Sequence, residues 1–166
     1  MSNAAHRENH VATPLRIWLR LLTCTNLIES RVRGRLREDF SSTLPRFDML
    51  AQLDMARGSR EGLTMGELAR RLLVSNGNLT GLTTRLVKEG LVTRTTSTRD
   101  RRAQRVRLTA AGKRAFDAMA AQHRAWIESI FGDLPSDDAE QLYELLGGLK
   151  ETVQHWQVNV KAEPAE

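Results

Sequence analysis

The chain has few of the residues that would crosslink it or hold it in a membrane. Its 166 residues include one cysteine, Cys24, which excludes an intramolecular disulfide and an all-cysteine zinc site within one chain. No apolar run approaches the roughly 18 residues needed to span a bilayer. The start of the sequence, residues 1–13, is polar and shows no signal-peptide pattern. We therefore expect a cytoplasmic protein with no membrane partner.

Signatures of catalysis and of cofactor binding are also missing. The sequence has no glycine-rich dinucleotide loop, Walker loop, nucleophile elbow or zinc-protease motif, so we expect no enzyme and no cofactor. The four histidines have no metal-ligand spacing with a carboxylate or cysteine, so no metal site is predicted. Aromatic residues make up only 5% of the chain, which argues against a stacking platform for single-stranded nucleic acid.

Positive charge is concentrated in one short stretch of the chain. Residues 85–107 carry eight basic and two acidic side chains, whereas the whole chain has a net charge of +5. Residues 108–166 carry five basic and ten acidic side chains. This distribution favours a polyanion-binding site in the middle of the chain. A solvated charged face is the alternative interpretation.

Helical periodicity covers most of the chain. Apolar residues recur at helical spacing and predict helices over 15–39, 45–56, 110–130 and 137–159. Thr64 and Glu67 fit a capping box before a short helix over 65–72, and Ser75 can cap a helix over 76–89. Two short helices joined by a tight turn predict a helix-turn-helix. Residues 91–95 and 104–108 read as two strands of a hairpin with a polar, basic tip.

The predicted helix 76–89 has two contrasting faces. Leu79, Leu82 and Leu86 share one face and should pack on a core. The opposite face consists of Gly77, Thr80, Gly81, Thr84 and Lys88, flanked by Asn78 and Arg85. Glycine inside a helix costs about 0.8–1 kcal/mol relative to alanine, so two glycines four residues apart suggest that something approaches the backbone closely. A major groove admits one helix, and Thr, Asn and Arg can contact its base edges. Solvent-facing filler is the alternative.

The order of elements and one long motif resemble the MarR family of bacterial transcription regulators. Residues 64–94 read TMGELARRLLVSNGNLTGLTTRLVKEGLVTR, and residues 100–112 read DRRAQRVRLTAAG. They contain the family's V-S turn, its helix ending in R-L…G-L-V-x-R, and its wing D-x-R…V-x-L-T-x-x-G. The resemblance covers roughly residues 15–160. It implies a mainly α fold with a small β-hairpin wing, namely a winged helix-turn-helix with a helical dimerisation region.

The resemblance also implies a domain organisation and partners. Residues 43–109 would form the winged helix-turn-helix, and residues 14–42 and 110–160 the dimerisation helices. Residues 1–13 would be a flexible tail, and residues 161–166 a second tail. A twofold homodimer would bind double-stranded DNA at a pseudo-palindromic operator whose half-sites lie about one helical turn apart. The apolar stripes of the two last helices need such a partner, although an intramolecular helical core is the alternative.

The family pattern assigns candidate DNA contacts to positions in this chain. In the wing, Asp100 would orient Arg102, which would enter the minor groove. Thr64, Ser75 and Arg94 are candidates for contacts to phosphates, which fix register without reading sequence. Besides Arg94, the residues predicted to bind DNA are Thr64, Ser75, Asn76, Gly77, Asn78, Thr80, Gly81, Thr84, Arg85, Lys88, Arg99, Asp100, Arg101 and Arg102.

In the family, a small anionic and often aromatic ligand binds between the dimer helices and the winged domain. The residues predicted to form that pocket here are Trp18, Leu22, Asn26, Arg46, Phe47, Leu50 and Trp126. Arg46 could pair with a carboxylate, and ordinary core packing is the alternative for each residue. The segment S-N-G-N-L-T-G-L resembles relatives that control breakdown of aromatic acids and sense the acid or its coenzyme A thioester. The sequence therefore predicts a dimeric repressor that such a ligand releases from its operator.

Two other functions stay open at this level. Cys24 could make the chain a redox-sensing repressor, in which case oxidant should release DNA from the wild type but not from Cys24→Ser. The winged helix could instead serve as an interaction module without an effector. If that module bound no DNA, its binding would lack the steep salt dependence of phosphate contacts.

Overall fold

A computed structural model describes the backbone of residues 3–58, 62–96 and 103–160, and the side chains of residues 13–58, 62–96 and 103–156. Within these ranges the order of elements is α1 (Asn3–Phe40), α2 (Leu44–Met55), β1 (Leu63–Thr64), α3 (Met65–Leu72), α4 (Asn76–Lys88), β2 (Val92–Thr96), β3 (Gln104–Leu108), α5 (Ala110–Phe131) and α6 (Ser136–Val160). The predicted mainly α fold with a small β-hairpin is confirmed. No helix in the described ranges is long and apolar enough to cross a membrane.

The first helix is longer than its sequence pattern indicates. It was predicted over 15–39 but begins at Asn3, so nearly all of the segment predicted to be a flexible tail is helical. The prediction of a tail depended on the polar composition of residues 1–13. Polarity does not oppose a helix, because the Ala, Arg and Glu residues in that segment are good helix formers.

The chain forms two compact units, Met1–Arg124 and Ala125–Glu166. The core of the first unit is built from α1, α2, α3, α4 and the sheet. Its fully buried side chains are Leu36, Met49, Leu50, Leu68, Leu79, Leu86, Val92, Val106 and Thr83. Because α3 and α4 each contribute their apolar face to this core, their opposite faces remain available to a partner.

The sheet has three antiparallel strands in the order β1-β3-β2. β3 pairs with β2 from Val92↔Leu108 to Thr96↔Gln104, as the hairpin prediction required. It also pairs with β1 through Leu63↔Val106 and Thr64↔Arg105. Nothing in the sequence indicates β1, because two residues are too few for the alternation that identifies a strand.

Thr109 and Gly112 hold the start of α5 against Gly90 and Leu91, two residues that lie between α4 and β2. The Thr109 hydroxyl donates to the Gly90 carbonyl (2.7 Å), and the Gly112 N–H donates to the Thr109 hydroxyl oxygen (2.9 Å). The Thr109 N–H donates to the Leu91 carbonyl (3.1 Å). A Cβ on Gly112 would lie 1.9 Å from the Leu91 carbonyl oxygen. The T-x-x-G of the wing motif is therefore a site where two backbones pack together.

Two helices present apolar side chains to solvent. On α1, Trp18 is 57% exposed and Leu15, Ile17 and Leu19 are similarly open. In the second unit, α6 exposes a run of apolar side chains, namely Leu142, Leu145, Leu146, Leu149, Val153 and Trp156. Large contiguous apolar patches of this kind mark interaction surfaces rather than free monomer surface.

Candidate nucleic-acid interface

The first helix of the helix-turn-helix begins with the predicted capping box. The Glu67 N–H donates to the Thr64 hydroxyl (3.2 Å), while the Thr64 N–H donates to the Glu67 carboxylate (2.7 Å). The hydrogen bond from the Thr64 backbone N–H, followed by the one from its hydroxyl, lowers the pKa of Glu67 below its usual value. The Thr64 hydroxyl also donates to Glu67 (2.8 Å). A phosphate contact by the Thr64 hydroxyl would therefore replace its O–H hydrogen bond to Glu67, while the two backbone hydrogen bonds of the cap could remain.

The turn between the two helices contains Leu73 in the left-handed region, with φ 53°. Its side chain is 92% exposed, and the next residue, Val74, donates its N–H to the Ala69 carbonyl (3.2 Å). Ser75 then caps α4, since its hydroxyl accepts a hydrogen bond from the Asn78 N–H (3.4 Å). The Ser75 hydroxyl can still donate, so its predicted contact with a phosphate is compatible with the cap.

Leu73→Gly is expected to stabilise the folded chain by about 0.5–1 kcal/mol. A left-handed conformation costs an L-residue roughly 1–2 kcal/mol, and glycine avoids this cost at the expense of a more flexible unfolded state. The exposed leucine side chain contributes almost no buried surface. Urea unfolding of the two proteins measures the difference. Arg71→Gly, in the regular part of α3, is the control and should lose stability; a loss at both positions would contradict the argument.

The two faces of α4 are arranged as predicted. Leu79, Leu82 and Leu86 are buried in the core. The face away from the core is exposed along its whole length, and its residues are Asn76, Gly77, Asn78, Thr80, Gly81, Thr84, Arg85 and Lys88. A Cβ added to Gly77 or Gly81 would meet no heavy atom within 4 Å. This face is narrow enough for a groove and carries side chains that suit base edges.

The two exposed threonines of α4 use their hydroxyl hydrogens within the helix. Thr80 donates to the Asn76 carbonyl (2.8 Å), and Thr84 donates to the Thr80 carbonyl (2.9 Å). Each side chain therefore offers a partner its methyl group and its oxygen lone pairs. Of the contacts expected from the sequence, this arrangement favours a thymine methyl or a base amino group over a base acceptor.

The hairpin supplies basic residues, but the predicted wing tip is not covered. Arg99, Asp100, Arg101 and Arg102 lie outside the described residues. On the strands, Arg94 is exposed on β2 and Arg107 is exposed on β3. Arg105 donates from its guanidinium to the Gly62 carbonyl (3.1 Å), which joins β3 to the segment before β1.

Comparisons with known proteins identify the family. Residues 42–103, from just before α2 to just before β3, match the MarR family. The transcriptional activatory protein BadR of Rhodopseudomonas palustris is 31% identical over 137 residues, which are 82% of this chain and 76% of BadR. The chain belongs to the MarR family. It is therefore a DNA-binding transcriptional regulator with a winged helix-turn-helix, as the resemblance of its motif implied.

Solved MarR-family structures have the same fold. AbsC, a MarR family transcriptional regulator from Streptomyces coelicolor, is 28% identical with a TM-score of 0.75, over 87% of this chain and 95% of AbsC. Sco3205, a MarR family regulator from the same organism in complex with DNA, is 25% identical with a TM-score of 0.73, over 86% of this chain and 89% of Sco3205.

A cavity of about 710 Å³ lies beside α4 of this MarR-family chain. The lining combines an apolar floor with several charged side chains. Its residues are Glu29 and Arg33 of α1; Thr43, Leu44, Pro45, Arg46 and Asp48 at the start of α2; and Leu72, Val74, Gly77, Asn78, Leu79, Gly81, Leu82 and Arg85 of the helix-turn-helix. The volume is in the range of small-molecule sites. Gly77 and Gly81 thus border both the exposed face of α4 and this cavity.

The residues predicted to form the effector pocket lie in different parts of the described chain. Trp18, Leu22 and Asn26 are exposed on α1. Phe47 and Leu50 belong to the core, where Phe47 stacks on His123 with ring centroids 4.7 Å apart. Trp126 belongs to the second unit. Of the seven predicted residues, only Arg46 lines the cavity beside α4. An apolar stripe has the same pattern whether it faces a core or a ligand, so a pocket between the dimer helices and the winged domain stays a prediction.

Asp48 brings a half-buried carboxyl to this cavity. Burial raises the pKa of Asp48, repulsion from Glu29 raises it further, and attraction to Arg33 opposes both. Around neutral pH the folded chain therefore holds an unfavourably buried carboxylate. Among the described residues, no group of three His, Cys, Asp or Glu side chains is arranged to hold a metal ion.

Asp48→Asn is expected to stabilise the chain at pH 7 by about 1 kcal/mol. The pKa of Asp48 is raised in the folded state, so the wild type gains stability as pH falls and the folded carboxyl takes up a proton before the unfolded one. The advantage of the variant should therefore shrink towards pH 4. Urea unfolding at both pH values measures it. The exposed Asp39→Asn is the charge-matched control; an equal gain there would contradict the burial argument.

Proposed function

We propose that this chain is a homodimeric regulator that binds a pseudo-palindromic operator and is released by a small organic anion. The observation that carries the proposal is that α4 borders two different spaces. Its outer face is exposed, small and polar, and one of its flanks lines the cavity. A ligand in that cavity would contact the helix that reads DNA, so binding of the ligand and binding of DNA can be coupled.

The exposed apolar faces support the homodimer. α6 leaves Trp156 66% exposed and Leu145 equally open, and α1 exposes Trp18. A second copy of the chain supplies identical apolar faces, and a twofold axis closes the assembly. Such a dimer places two copies of α4 on half-sites about one helical turn apart.

We propose that the residues predicted to bind DNA contact both grooves and the phosphates of one half-site. α4 enters the major groove, with Asn78 and Arg85 suited to adenine and guanine edges and the threonines suited to thymine methyls. Ser75, Arg94 and Lys88 contact phosphates, and the wing residues Arg99, Arg101 and Arg102 reach the minor groove. The DNA complex of Sco3205 supports this use of the fold.

Arg102→Ala is expected to weaken operator binding by about 1–3 kcal/mol. In this proposal the arginine enters the minor groove, where a narrow A·T-rich segment concentrates negative potential. Fluorescence anisotropy with the selected operator at one fixed salt concentration measures the loss. Arg16→Ala removes the same charge from α1 and serves as the control. Equal affinities of wild type and Arg102→Ala would rule out the wing contact.

The experiment that tests the whole proposal is selection of random duplex DNA by the purified protein across a series of salt concentrations. Enrichment of a pseudo-palindrome with half-sites about one turn apart is the expected result. Salt-sensitive binding without an enriched sequence would indicate a nonspecific architectural protein. No binding of DNA even at low salt would favour the interaction module. Repeating the assay with oxidant, in wild type and Cys24→Ser, tests the redox hypothesis.

We propose repression as the direction of regulation and an aromatic acid, or its coenzyme A thioester, as the effector. The cavity has room for an aromatic acid, and a thioester would have to extend out of it. Activation is the second candidate, because the relative BadR is named a transcriptional activatory protein. A reporter gene downstream of the selected operator, with and without the regulator, separates the two directions.

A further inference from the structure

An ion pair joins α2 to the C-terminal end of α4. Arg46 lies in the first turn of α2, and Glu89 is the C-cap residue of α4. The guanidinium of Arg46 donates through Nη1 to Oε1 of Glu89 (2.8 Å) and through Nη2 to Oε2. This two-point contact is the strong geometry of an arginine–carboxylate pair. It joins residues 43 positions apart in the sequence, so it is a tertiary contact.

The same guanidinium belongs to the wall of the cavity. Arg46 lines it, and its Nε is buried and has no hydrogen-bond partner among the described residues. A buried donor without a partner costs about 1–3 kcal/mol. The Nε is buried while the ion pair is closed, so a carboxylate in the cavity can reach it only if the Arg46 side chain moves. It could then accept from Nε and one Nη, whereas Glu89 accepts from Nη1 and Nη2.

Among the other charged residues of the cavity, Arg85 offers a positive charge to an anion. Arg33 is paired with Glu29 at 2.7 Å, one turn away on α1. Arg85 lies on the flank of α4, and its guanidinium has no hydrogen bond or ion pair with another described residue. Opposing it is Asp48, whose burial already disfavours its charged form. Leu44, Pro45 and Leu82 provide apolar surface beside these groups.

The geometry points to an exchange of carboxylates on Arg46. We propose that an organic carboxylate with an apolar body enters the cavity and replaces Glu89 on the guanidinium of Arg46. This exchange breaks the contact between the C-cap of α4 and α2. Arg85 adds a second positive charge for the same ligand. The effect on DNA rests on the proposed function, but the exchange itself involves only this chain and the carboxylate.

The exchange can be tested without DNA. Benzoate is the carboxylate, and benzamide is its uncharged analogue and serves as the control ligand. Heteronuclear NMR follows the Arg46 Nε–H signal and the backbone amides of residues 86–90 during titration. In the wild type, benzoate should shift both sets of signals, and benzamide should shift neither. Glu89→Gln removes the internal competitor, so it should bind benzoate at least about fivefold more tightly. Arg46→Gln should bind at least about tenfold more weakly than the wild type, with its α4 amides unmoved.

Each outcome decides the proposal. Equal benzoate affinity in wild type and Glu89→Gln would overturn the exchange, and so would an unmoved Arg46 signal in Glu89→Gln at tens of millimolar benzoate. Asp39→Asn, which removes a charge from an exposed position on α1, controls for net charge and should match the wild type. If the exchange is seen but no operator can be selected, the proposed function fails while the exchange stands. If an operator is selected but Glu89→Gln changes nothing, the exchange alone fails.

Discussion

Gly112→Ala is expected to destabilise the folded chain by about 3 kcal/mol or more. The added Cβ would lie 1.9 Å from the Leu91 carbonyl oxygen and 3.2 Å from a side-chain carbon of Leu108. The first of these neighbours is backbone that already accepts the Thr109 N–H, so it cannot move without breaking a hydrogen bond. The gain of about 0.8–1 kcal/mol in helix propensity is too small to offset this clash.

Thermal and urea unfolding of the purified variant measure the loss. Gly66→Ala is the matched control, because a Cβ at that position of α3 meets no heavy atom within 4 Å. The free energy of unfolding of Gly66→Ala should rise by up to about 1 kcal/mol because alanine has the higher helix propensity. Similar stabilities for the two variants would mean that the start of α5 can shift away from Leu91 at little cost.

Gly81→Leu is expected to lower operator affinity at least about a hundredfold while leaving the chain folded. A Cβ at Gly81 has open space around it, and leucine has a better helix propensity than glycine, so the free protein should be as stable as the wild type or more so. In the complex, the same side chain would stand between α4 and the floor of the major groove. Loss of several base and phosphate contacts at about 1–3 kcal/mol each gives a large decrease in affinity.

Anisotropy titration with the selected operator, together with circular dichroism, tests this expectation. Gly34→Leu adds the same side chain to α1, where a Cβ also meets nothing within 4 Å, and it should bind as the wild type does. Gly81→Ala should give an intermediate loss. Retained affinity in Gly81→Leu would contradict close approach and leave the cavity as the reason for glycine at this position.

The sequence predicted the helix-turn-helix and hairpin well because their signals are local. The capping box of Thr64 and Glu67, the cap at Ser75 and the apolar face of α4 depend on residues within a few positions of one another. β3 was placed at its observed bounds because its alternation matches the strand period. The strand β1 has no such alternation and exists only because β3 offers it a partner.

The cavity and its charges could not be predicted in the same way. They bring together Arg33, Arg46 and Arg85, which come from three separate helices. Periodicity shows which side chains share a face of one helix, but it does not show which faces leave a space between them. The sequence therefore identified Arg46 as a candidate for ligand binding and could not identify Glu89 as its partner or Asp48 as its neighbour.

The internal hydrogen bonds of Thr80 and Thr84 bear on the kind of DNA chemistry that the regulator can sense. In the proposed complex, with both hydroxyl hydrogens committed to the helix, these side chains would offer a base their methyl groups and their oxygen lone pairs. A methyl group distinguishes pyrimidines by their C5 substituent, not by their Watson–Crick partner. For a contact through the methyl group alone, 5-methylcytosine resembles thymine, and uracil resembles unmodified cytosine. Covalent modification of an operator could thus change its occupancy without any change in its sequence.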